Sequence, residues 1–326
     1  MKTAEVEKDI LVVKEREDER LNGRAGAVVK VSGCGLCGSD IVKLKQHLVK
    51  DGTVLGHEIV AKIVEINSET NFNVGDEIVT SHHIPCGKCE YCKNGNVSMC
   101  RHFKETNIRP GGFSELVFVS DEHLKNVAYK KPENLTNEEA SFYEPLGCCI
   151  RAVKRAKLKE NSTALVIGLG SIGILMTQAL KAFGMNVIGC DLISSRIELV
   201  KSLGIEAFNV LEMCDSIKAD GAFMTSGSDK AIDTALKYVR DGGKILVFSS
   251  TPQNFGYANN EIYYRELTVL GSYSPSPQDL KDSLELLASK KVKVNGLSTV
   301  YTLDKVQKAI NDTLDNKIMK AYIKVS

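Results

Sequence analysis

The sequence lacks an excess of charge of either sign. Among its 326 residues, 42 lysines and arginines stand against 41 aspartates and glutamates, a formal net charge of +1. A protein that binds duplex nucleic acid displaces counterions with clustered basic charge. Because this chain has no such surplus, we expect no nucleic-acid partner.

Long apolar runs and a signal peptide are also missing. Spanning a bilayer takes about 20 consecutive apolar residues, and no stretch approaches that length. The N-terminus, MKTAEVEKDILVVKE, is charged throughout and has neither an apolar core nor a small-residue cleavage site. We therefore expect no membrane association and a cytoplasmic location.

Cysteines are too sparse for a disulfide scaffold, with ten in the whole chain. Four of them nevertheless fall within fifteen residues, in PCGKCEYCKNGNVSMC: Cys86, Cys89, Cys92 and Cys100. Thiolates at these spacings can surround one ion tetrahedrally and leave no position for a substrate. The alternative, four reduced cysteines in a polar loop, is poor because KNGNVS offers no apolar core. The run predicts a structural zinc site.

The pattern of the chain changes near residue 146. Before it, short β segments such as AGAVVKVSG and HEIVAKIVEI are separated by glycine turns, which indicates a small, mostly antiparallel barrel or sandwich. After it, apolar strands alternate with helical stretches, which implies an α/β unit with a parallel sheet and helices on both faces. The length is about twice that of a usual domain. We therefore expect two domains.

A glycine motif follows the strand STALVI and opens a helix. Gly168, Gly170 and Gly173 are spaced as GxGxxG, with Ser171 and Ile172 between the last two. The glycines permit a tight turn, let the backbone approach a pyrophosphate and allow the helix to pack on the strand. The helix N-terminus then presents unsatisfied N–H groups to phosphates. The motif predicts a dinucleotide site.

Two further positions bear on which dinucleotide binds. Asp191 ends the next strand, NVIGCD, 18 residues after Gly173, where a carboxylate accepts hydrogen bonds from the ribose and repels a 2′-phosphate. NAD is therefore favoured over NADP, although Arg196 is compatible with either an adenine contact or a 2′-phosphate. Thr225 ends the strand GAFMTS at the carboxyl edge of the sheet, where it would line the nicotinamide pocket or begin a loop.

A second set of candidate metal ligands is scattered. Cys37 lies in GCGLCGSD, and His57 and Glu58 lie in LGHEIV. A thiolate, an imidazole and a carboxylate suit a catalytic zinc that keeps one position open. Spacing alone does not link these residues, since a lone cysteine or histidine is more often an ordinary core or surface residue.

The order of motifs along the chain is that of a known family. CGSD, GHE, the four-cysteine run, YEPLG and GLGSIG follow one another, and the sequence resembles the zinc-dependent medium-chain dehydrogenases, on their sorbitol and threonine dehydrogenase side. The resemblance implies a GroES-like β-barrel catalytic domain, residues 1–146 and 272–326, interrupted by a Rossmann NAD-binding domain, residues 147–271. It also implies two zinc ions per chain, one catalytic and one structural, and a homodimer or homotetramer.

The resemblance assigns roles to single residues. Cys37 and His57 correspond to catalytic zinc ligands, and Glu58 to a further ligand or a carboxylate close to the metal. Glu144 in YEPLG corresponds to the glutamate that polyol-type members place beside the zinc. Which of the two carboxylates binds directly stays open. Asp40 corresponds to the carboxylate that hydrogen-bonds the zinc-bound imidazole and so fixes its tautomer.

Ser39 corresponds to the hydroxyl that takes the proton from the bound alcohol. Many relatives place a relay histidine three residues later, where this chain has Val42, so the proton must leave through the cofactor ribose, water or His47. We expect His47, His82 and His83 to be surface residues.

These assignments imply oxidation of a secondary alcohol, most readily a polyol or sugar, because Glu58 and Glu144 could accept hydrogen bonds from neighbouring hydroxyls. A threonine-type or simple secondary-alcohol dehydrogenase is the alternative. A zinc-free reductase and an NAD-binding sensor are less consistent with the intact ligand set.

Overall fold

The computed structural model describes residues 1–249 and 259–326, which form two compact units. The first comprises Met1–Glu144, Ser276–Ser289 and Val294–Ser326, and the second comprises Pro145–Pro275 and Lys290–Lys293. Within the described residues, no helix has both the length and the apolar character needed to cross a membrane.

The strands are short, between three and ten residues. In chain order they are β1 (Lys2–Glu7), β2 (Ile10–Glu15), β3 (Gly26–Gly35), β4 (Glu58–Asn67), β5 (Glu77–Thr80), β6 (Leu116–Ser120), β7 (Ala128–Lys130), β8 (Thr163–Ile167), β9 (Asn186–Asp191), β10 (Glu206–Asn209), β11 (Ala219–Met224), β12 (Val239–Val247), β13 (Thr268–Gly271), β14 (Ser298–Thr302) and β15 (Lys320–Lys324).

The helices range from four to fourteen residues in length. They are α1 (Gly38–Lys45), α2 (Glu90–Lys93), α3 (Arg101–Glu105), α4 (Asp121–Asn126), α5 (Asn137–Ala140), α6 (Tyr143–Ala156), α7 (Ser171–Ala182), α8 (Ser194–Ser202), α9 (Lys230–Tyr238), α10 (Asn259–Tyr264), α11 (Pro277–Ala288) and α12 (Val306–Leu314). Short 3₁₀ turns occupy Val97–Met99, Val210–Glu212 and Leu303–Lys305.

The first unit is built around the long strand β3. Its first half pairs antiparallel with β6, its whole length pairs with β4, and its last residues pair with β15. The main sheet runs β14-β15-β3-β4-β5-β7, and β14 lies parallel to β15. Alternate residues of β3 and β4 point into a core that includes Val29, Val31, Ile59 and Phe113. The mostly antiparallel sheet expected for this part of the chain is confirmed.

The second unit is a parallel six-stranded sheet in the order β10-β9-β8-β11-β12-β13. Strand order reverses between β8 and β11, and in open α/β sheets ligands bind outside the carboxyl ends of the strands at such a reversal. The interior strands are apolar, as burial on both faces requires: Leu165, Ala222 and Ile245 are completely buried. The parallel sheet predicted from the alternating pattern is confirmed.

Candidate active site

Cys37 lies where β3 passes into α1. It is the N-cap residue of α1, and its sulfur accepts a hydrogen bond from the Ser39 backbone N–H at 3.5 Å. Its own N–H donates to Asp40 Oδ2 at 3.3 Å, which completes a capping box. The two bonds hold the thiol at the start of the helix and turn the Asp40 carboxylate inward, where it is fully buried.

The buried Asp40 carboxylate faces the imidazole of His57. His57 Nδ1 lies 3.4 Å from Asp40 Oδ1, and both side chains are excluded from solvent. Burial acts to lower the pKa of His57, but the charges of Asp40 and Cys37 outweigh it and raise that pKa well above its ordinary value. Burial likewise acts to raise the pKa of Asp40, and His57 outweighs it and lowers that pKa. An acceptor at Nδ1 leaves Nε2 as the nitrogen that can bind a metal.

Glu58 begins β4 directly after His57 and is paired with Gly35 of β3. A Cβ atom at residue 35 would lie 2.0 Å from Glu58 Oε2, so only glycine leaves room for this carboxylate. Glu58 is buried, and its Oε1 has no hydrogen-bond partner among residues 1–249 and 259–326. A buried carboxylate oxygen without a partner is costly, and a cation is the group that would remove the cost.

The ligand atoms of Cys37, His57 and Glu58 all lie within 4.8 Å of one another. A thiolate, an imidazole and a carboxylate at that separation match the donor set and size of a three-ligand zinc site with one open position. Glu144 is not part of this compact set. It is buried in the first turn of α6, close enough for its charge to contribute to raising the pKa of Lys320.

The four clustered cysteines also come together. Their sulfur atoms lie within 4.8 Å of one another, with Cys89 and Cys92 3.5 Å apart, and none forms a disulfide. Burial and, to a smaller extent, the hydrogen bond with the Cys89 thiol together raise the pKa of Cys92 to about 12. For Cys100, hydrogen bonds to the thiolate from the backbone of Cys86 and Phe103 outweigh burial and lower the pKa to about 6. We call this segment, residues 86–100, the cysteine lobe; its geometry fits a four-thiolate zinc site.

The glycine turn has the close contacts expected of a dinucleotide loop. Gly168 has a left-handed φ of 93°, and a Cβ at residue 173 would lie 1.9 Å from the Gly168 carbonyl oxygen. Gly170 is the N-cap of α7, which places Ser171 and Ile172 in the first turn. The glycine turn can therefore approach phosphates closely, and the N–H groups at the start of α7 are available to bind them.

Asp191 and Thr225 both contact this turn. Asp191 Oδ2 accepts from the Leu169 N–H at 2.6 Å and lies 3.5 Å from the Arg196 guanidinium, while Oδ1 accepts from two N–H groups at the start of the next loop. The Thr225 hydroxyl donates to the Gly168 carbonyl at 2.6 Å. The acid is thus held rigidly beside the glycine turn, as ribose recognition requires.

Comparison with known proteins agrees with this geometry. The family profile described as "Alcohol dehydrogenase GroES-like domain" matches residues 23–131, and the one described as "Zinc-binding dehydrogenase" matches residues 171–289. A sorbitol dehydrogenase of Halalkalibacterium halodurans is 30% identical over 95% of this chain and 94% of its own length. The chain belongs to the zinc-dependent medium-chain alcohol dehydrogenases.

Two other members of the family are similar over almost their full length. D-xylulose reductase A of Aspergillus oryzae is 29% identical over 95% of this chain and 92% of its own. The crystal structure of galactitol-1-phosphate dehydrogenase from Escherichia coli superimposes with a TM-score of 0.87, at 25% identity, over 99% of this chain and 100% of that one. The predicted GroES-like and Rossmann fold class is confirmed, and the dehydrogenase is an oxidoreductase that uses zinc and a nicotinamide cofactor on a small-molecule alcohol.

One residue of the dehydrogenase site was missed by sequence reasoning. Lys320, the first residue of β15, is buried, and its ammonium lies 2.5 Å from Glu58 Oε2 and 3.2 Å from the Leu36 carbonyl oxygen. Burial acts to lower the pKa of Lys320, but the charges of Glu58 and Cys37 outweigh it and raise that pKa. A lysine directly before the apolar run AYI of the closing strand was the available signal, and its meaning depends on β15 lying beside β3.

The three histidines expected at the surface have different environments. His47 is exposed, and its Nδ1 lies 2.6 Å from Asp9 Oδ2. The expectation for His82 is wrong, because only 9% of its surface is exposed, and His83 is half-buried. Both follow β5 into the interior of the first unit, where their rings pack against other rings rather than facing solvent.

Proposed function

We propose that this dehydrogenase oxidises a secondary alcohol of the polyol or sugar class with NAD. The observation that supports it most directly is the cluster of three unlike ligand atoms from Cys37, His57 and Glu58 within 4.8 Å, which suits a catalytic zinc with an open position. The relatives named sorbitol dehydrogenase and D-xylulose reductase support the polyol class.

The residues of the site have separate tasks in this proposal. Cys37, His57 and Glu58 would hold a zinc ion that would supply Lewis-acid chemistry to lower the pKa of the substrate hydroxyl, and a nicotinamide bound at the glycine turn would supply the hydride acceptor. Asp40 holds the His57 ring in one orientation, and Lys320 holds the Glu58 carboxylate at the edge of the cluster.

The Ser39 hydroxyl is proposed to accept the proton that the substrate hydroxyl loses and to pass it on. Ser39 is exposed and lies in the first turn of α1, next to Cys37. Since Val42 occupies the place of a relay histidine and His47 is paired with Asp9, we infer that the proton passes from Ser39 to the cofactor ribose or to water. Glu144 is proposed as a second carboxylate near the metal that receives substrate hydroxyls.

NAD is proposed over NADP because Asp191 stands at the end of β9 with its carboxylate fixed beside the glycine turn. A 2′-phosphate would meet that negative charge. Gly168, Gly170 and Gly173, with the first turn of α7, are proposed to receive the pyrophosphate.

The remaining assignments are proposals of the same kind. The cysteine lobe is proposed to hold a second, structural zinc, so that each chain binds two ions. From the sequence pattern and the family resemblance we also propose domain boundaries at residues 146 and 272, a homodimer or homotetramer, and a cytoplasmic location.

The decisive experiment measures zinc per chain on protein purified without added metal, followed by NAD reduction with polyols, sugars, threonine and simple alcohols. We expect two zinc ions per chain and turnover of a polyol. Cys37→Ser should lose one zinc and all turnover, Cys92→Ser should lose the other zinc, and Cys214→Ser, an exposed cysteine outside both clusters, should lose neither.

A single zinc per chain that survives Cys37→Ser would overturn the catalytic assignment and favour a zinc-free reductase or a sensor. Turnover of threonine but of no polyol would leave the metal site standing and replace the substrate class.

A further inference from the structure

A row of aromatic rings runs from the proposed catalytic ligand His57 towards the cysteine lobe. The ring centroids of His57 and His82 are 4.5 Å apart, those of His82 and His83 are 3.9 Å apart, and those of His83 and Phe103 are 4.8 Å apart. Each pair is tilted by about 43–44°. We call His57, His82 and His83 the histidine column. Rings at these separations are in direct packing contact.

The far end of the column is hydrogen-bonded to Thr106, six residues after the end of the lobe. His83 Nδ1 lies 2.5 Å from the Thr106 carbonyl oxygen, and the N–H of Ile84 donates to the Thr106 hydroxyl at 3.0 Å. Thr106 is the C-cap of α3, and the N-cap of α3 is Cys100, one of the four lobe thiols. The short helix α3 therefore connects Cys100 to the hydrogen-bond partner of His83.

The middle of the column is closely enclosed. His82 is buried between the two neighbouring rings, and its carbonyl oxygen lies 3.1 Å from His123 Nε2. Because its ring contacts both His57 and His83, His82 can act as a spacer between them.

We infer that His82 and His83 are positioning residues through which the metal-loaded cysteine lobe holds His57 in place for the catalytic zinc. The inference rests on the proposed function, because it needs an ion in both clusters. An ion bound by the four thiolates orders Cys100 and α3, which fixes His83, then His82, then the His57 ring. Binding at one cluster therefore strengthens binding at the other, and by linkage the factor is the same in both directions.

Metal affinity tests the inference without relying on turnover. Metal-stripped protein is titrated with Co²⁺ against a competing chelator, and absorption separates the four-thiolate site from the mixed site. His83→Ala, which removes the ring and its bond to Thr106, should weaken the mixed site about tenfold, the lower end of the range for residues that orient metal ligands. His83→Phe keeps the ring contacts with His82 and Phe103 but not the bond to Thr106, so it should recover part of that loss.

A double-mutant cycle separates transmission from general damage. Cys92→Ser should also weaken the mixed site about tenfold, and Cys92→Ser combined with His83→Ala should be no weaker than either single variant, because both break the same connection. His102→Ala is the matched control: it lies on α3 with an exposed side chain paired to Glu122, and it should leave the mixed site unchanged.

The possible outcomes all bear on the inference. Unchanged affinity in His83→Ala, or losses that add in the double variant, would overturn it. If Cys92→Ser fails to fold, as judged by circular dichroism, the comparison of His83→Ala with His83→Phe still decides, since both keep the four thiolates. Wild-type protein that binds Co²⁺ at one site only would instead refute the proposed function, before any variant is compared.

Discussion

Replacing Lys320 by methionine tests the electrostatic design of the active site. Methionine keeps the length and apolar stem of lysine but removes the ammonium that contacts Glu58 Oε2 at 2.5 Å and the Leu36 carbonyl oxygen at 3.2 Å. The side chains of Lys320 and Glu58 are 4% and 0% exposed, so water cannot replace the lost partner. The variant leaves a buried carboxylate with no counter-charge in place.

The size of the effect follows from that burial. Removing one partner of a buried ion pair destabilises a protein by about 3–5 kcal/mol, and we expect a loss in this range for metal-free Lys320→Met. The folded-state pKa of Lys320 is raised above 10.5, so its contribution is complete at neutral pH and disappears only as the pH rises through that raised value. Zinc supplies a new counter-charge for Glu58, so the loaded variant should lose less than half as much.

Urea unfolding of metal-free and zinc-loaded protein at pH 7 measures both quantities. Lys324→Met is the matched control, because Lys324 lies on the same strand with an exposed side chain, and it should change the free energy of unfolding by less than about 0.5 kcal/mol. If metal-free Lys320→Met is as stable as wild type, or if zinc does not reduce its loss, the account of Glu58 as a carboxylate shared between lysine and metal is wrong.

Three further predictions concern other parts of the two sites. Gly35→Ala should lose one zinc and keep the other, because its Cβ would lie 2.0 Å from the Glu58 carboxylate. Gly38→Ala, whose Cβ meets nothing within 4 Å, is the control and should keep both ions. Equal zinc content in the two variants would contradict this prediction. Burial lowers the pKa of His83 from 6.5 to about 4, so between these pH values the unfolded chain binds a proton that the folded chain does not. As the pH falls from 6.5 to 4, the free energy of unfolding of metal-free wild type should therefore decrease by about 2–3 kcal/mol more than that of His83→Phe. Urea midpoints of the two proteins that change in parallel across that range would refute this. Asp191→Gly should lower kcat/KM for NAD at least tenfold, about 1.4 kcal/mol, and should raise kcat/KM for NADP because the repelling charge is gone. Steady-state kinetics with both cofactors measures the ratio of the two values. An unchanged preference for NAD over NADP would count against the assignment of Asp191.

Local spacing predicted two groups of candidate site residues. The residues of the glycine turn, Gly168–Gly173, are close to one another in sequence, and so are the four thiols of the cysteine lobe. In each group the spacing alone predicts which atoms can come together. Cys37, His57 and Glu58 lie further apart, and only the order of motifs along the chain associated them before the structure brought their ligand atoms within 4.8 Å.

Two features depended on strand pairing or packing that the sequence does not display. Lys320 reaches Glu58 only because β15 pairs with the end of β3, a register between segments almost three hundred residues apart. His82 was expected at the surface, yet it is buried between the ring of His57 and the ring of the adjacent His83. Tertiary packing overrode local polarity there, as it commonly does for single histidines, whose rings pack well once neutral.

Because β15 lies late in the chain, the residues of the active site are synthesised at widely separated times. The Leu36 carbonyl that receives the Lys320 ammonium is made 284 residues before it, which at 5–20 residues per second is roughly 15–60 s of translation. Throughout that interval the nascent chain already contains Cys37, His57 and Glu58 but not the lysine that neutralises Glu58. The emerging polypeptide therefore carries more negative charge around Glu58 than the folded chain does, so this carboxylate attracts a divalent cation more strongly before β15 joins the sheet.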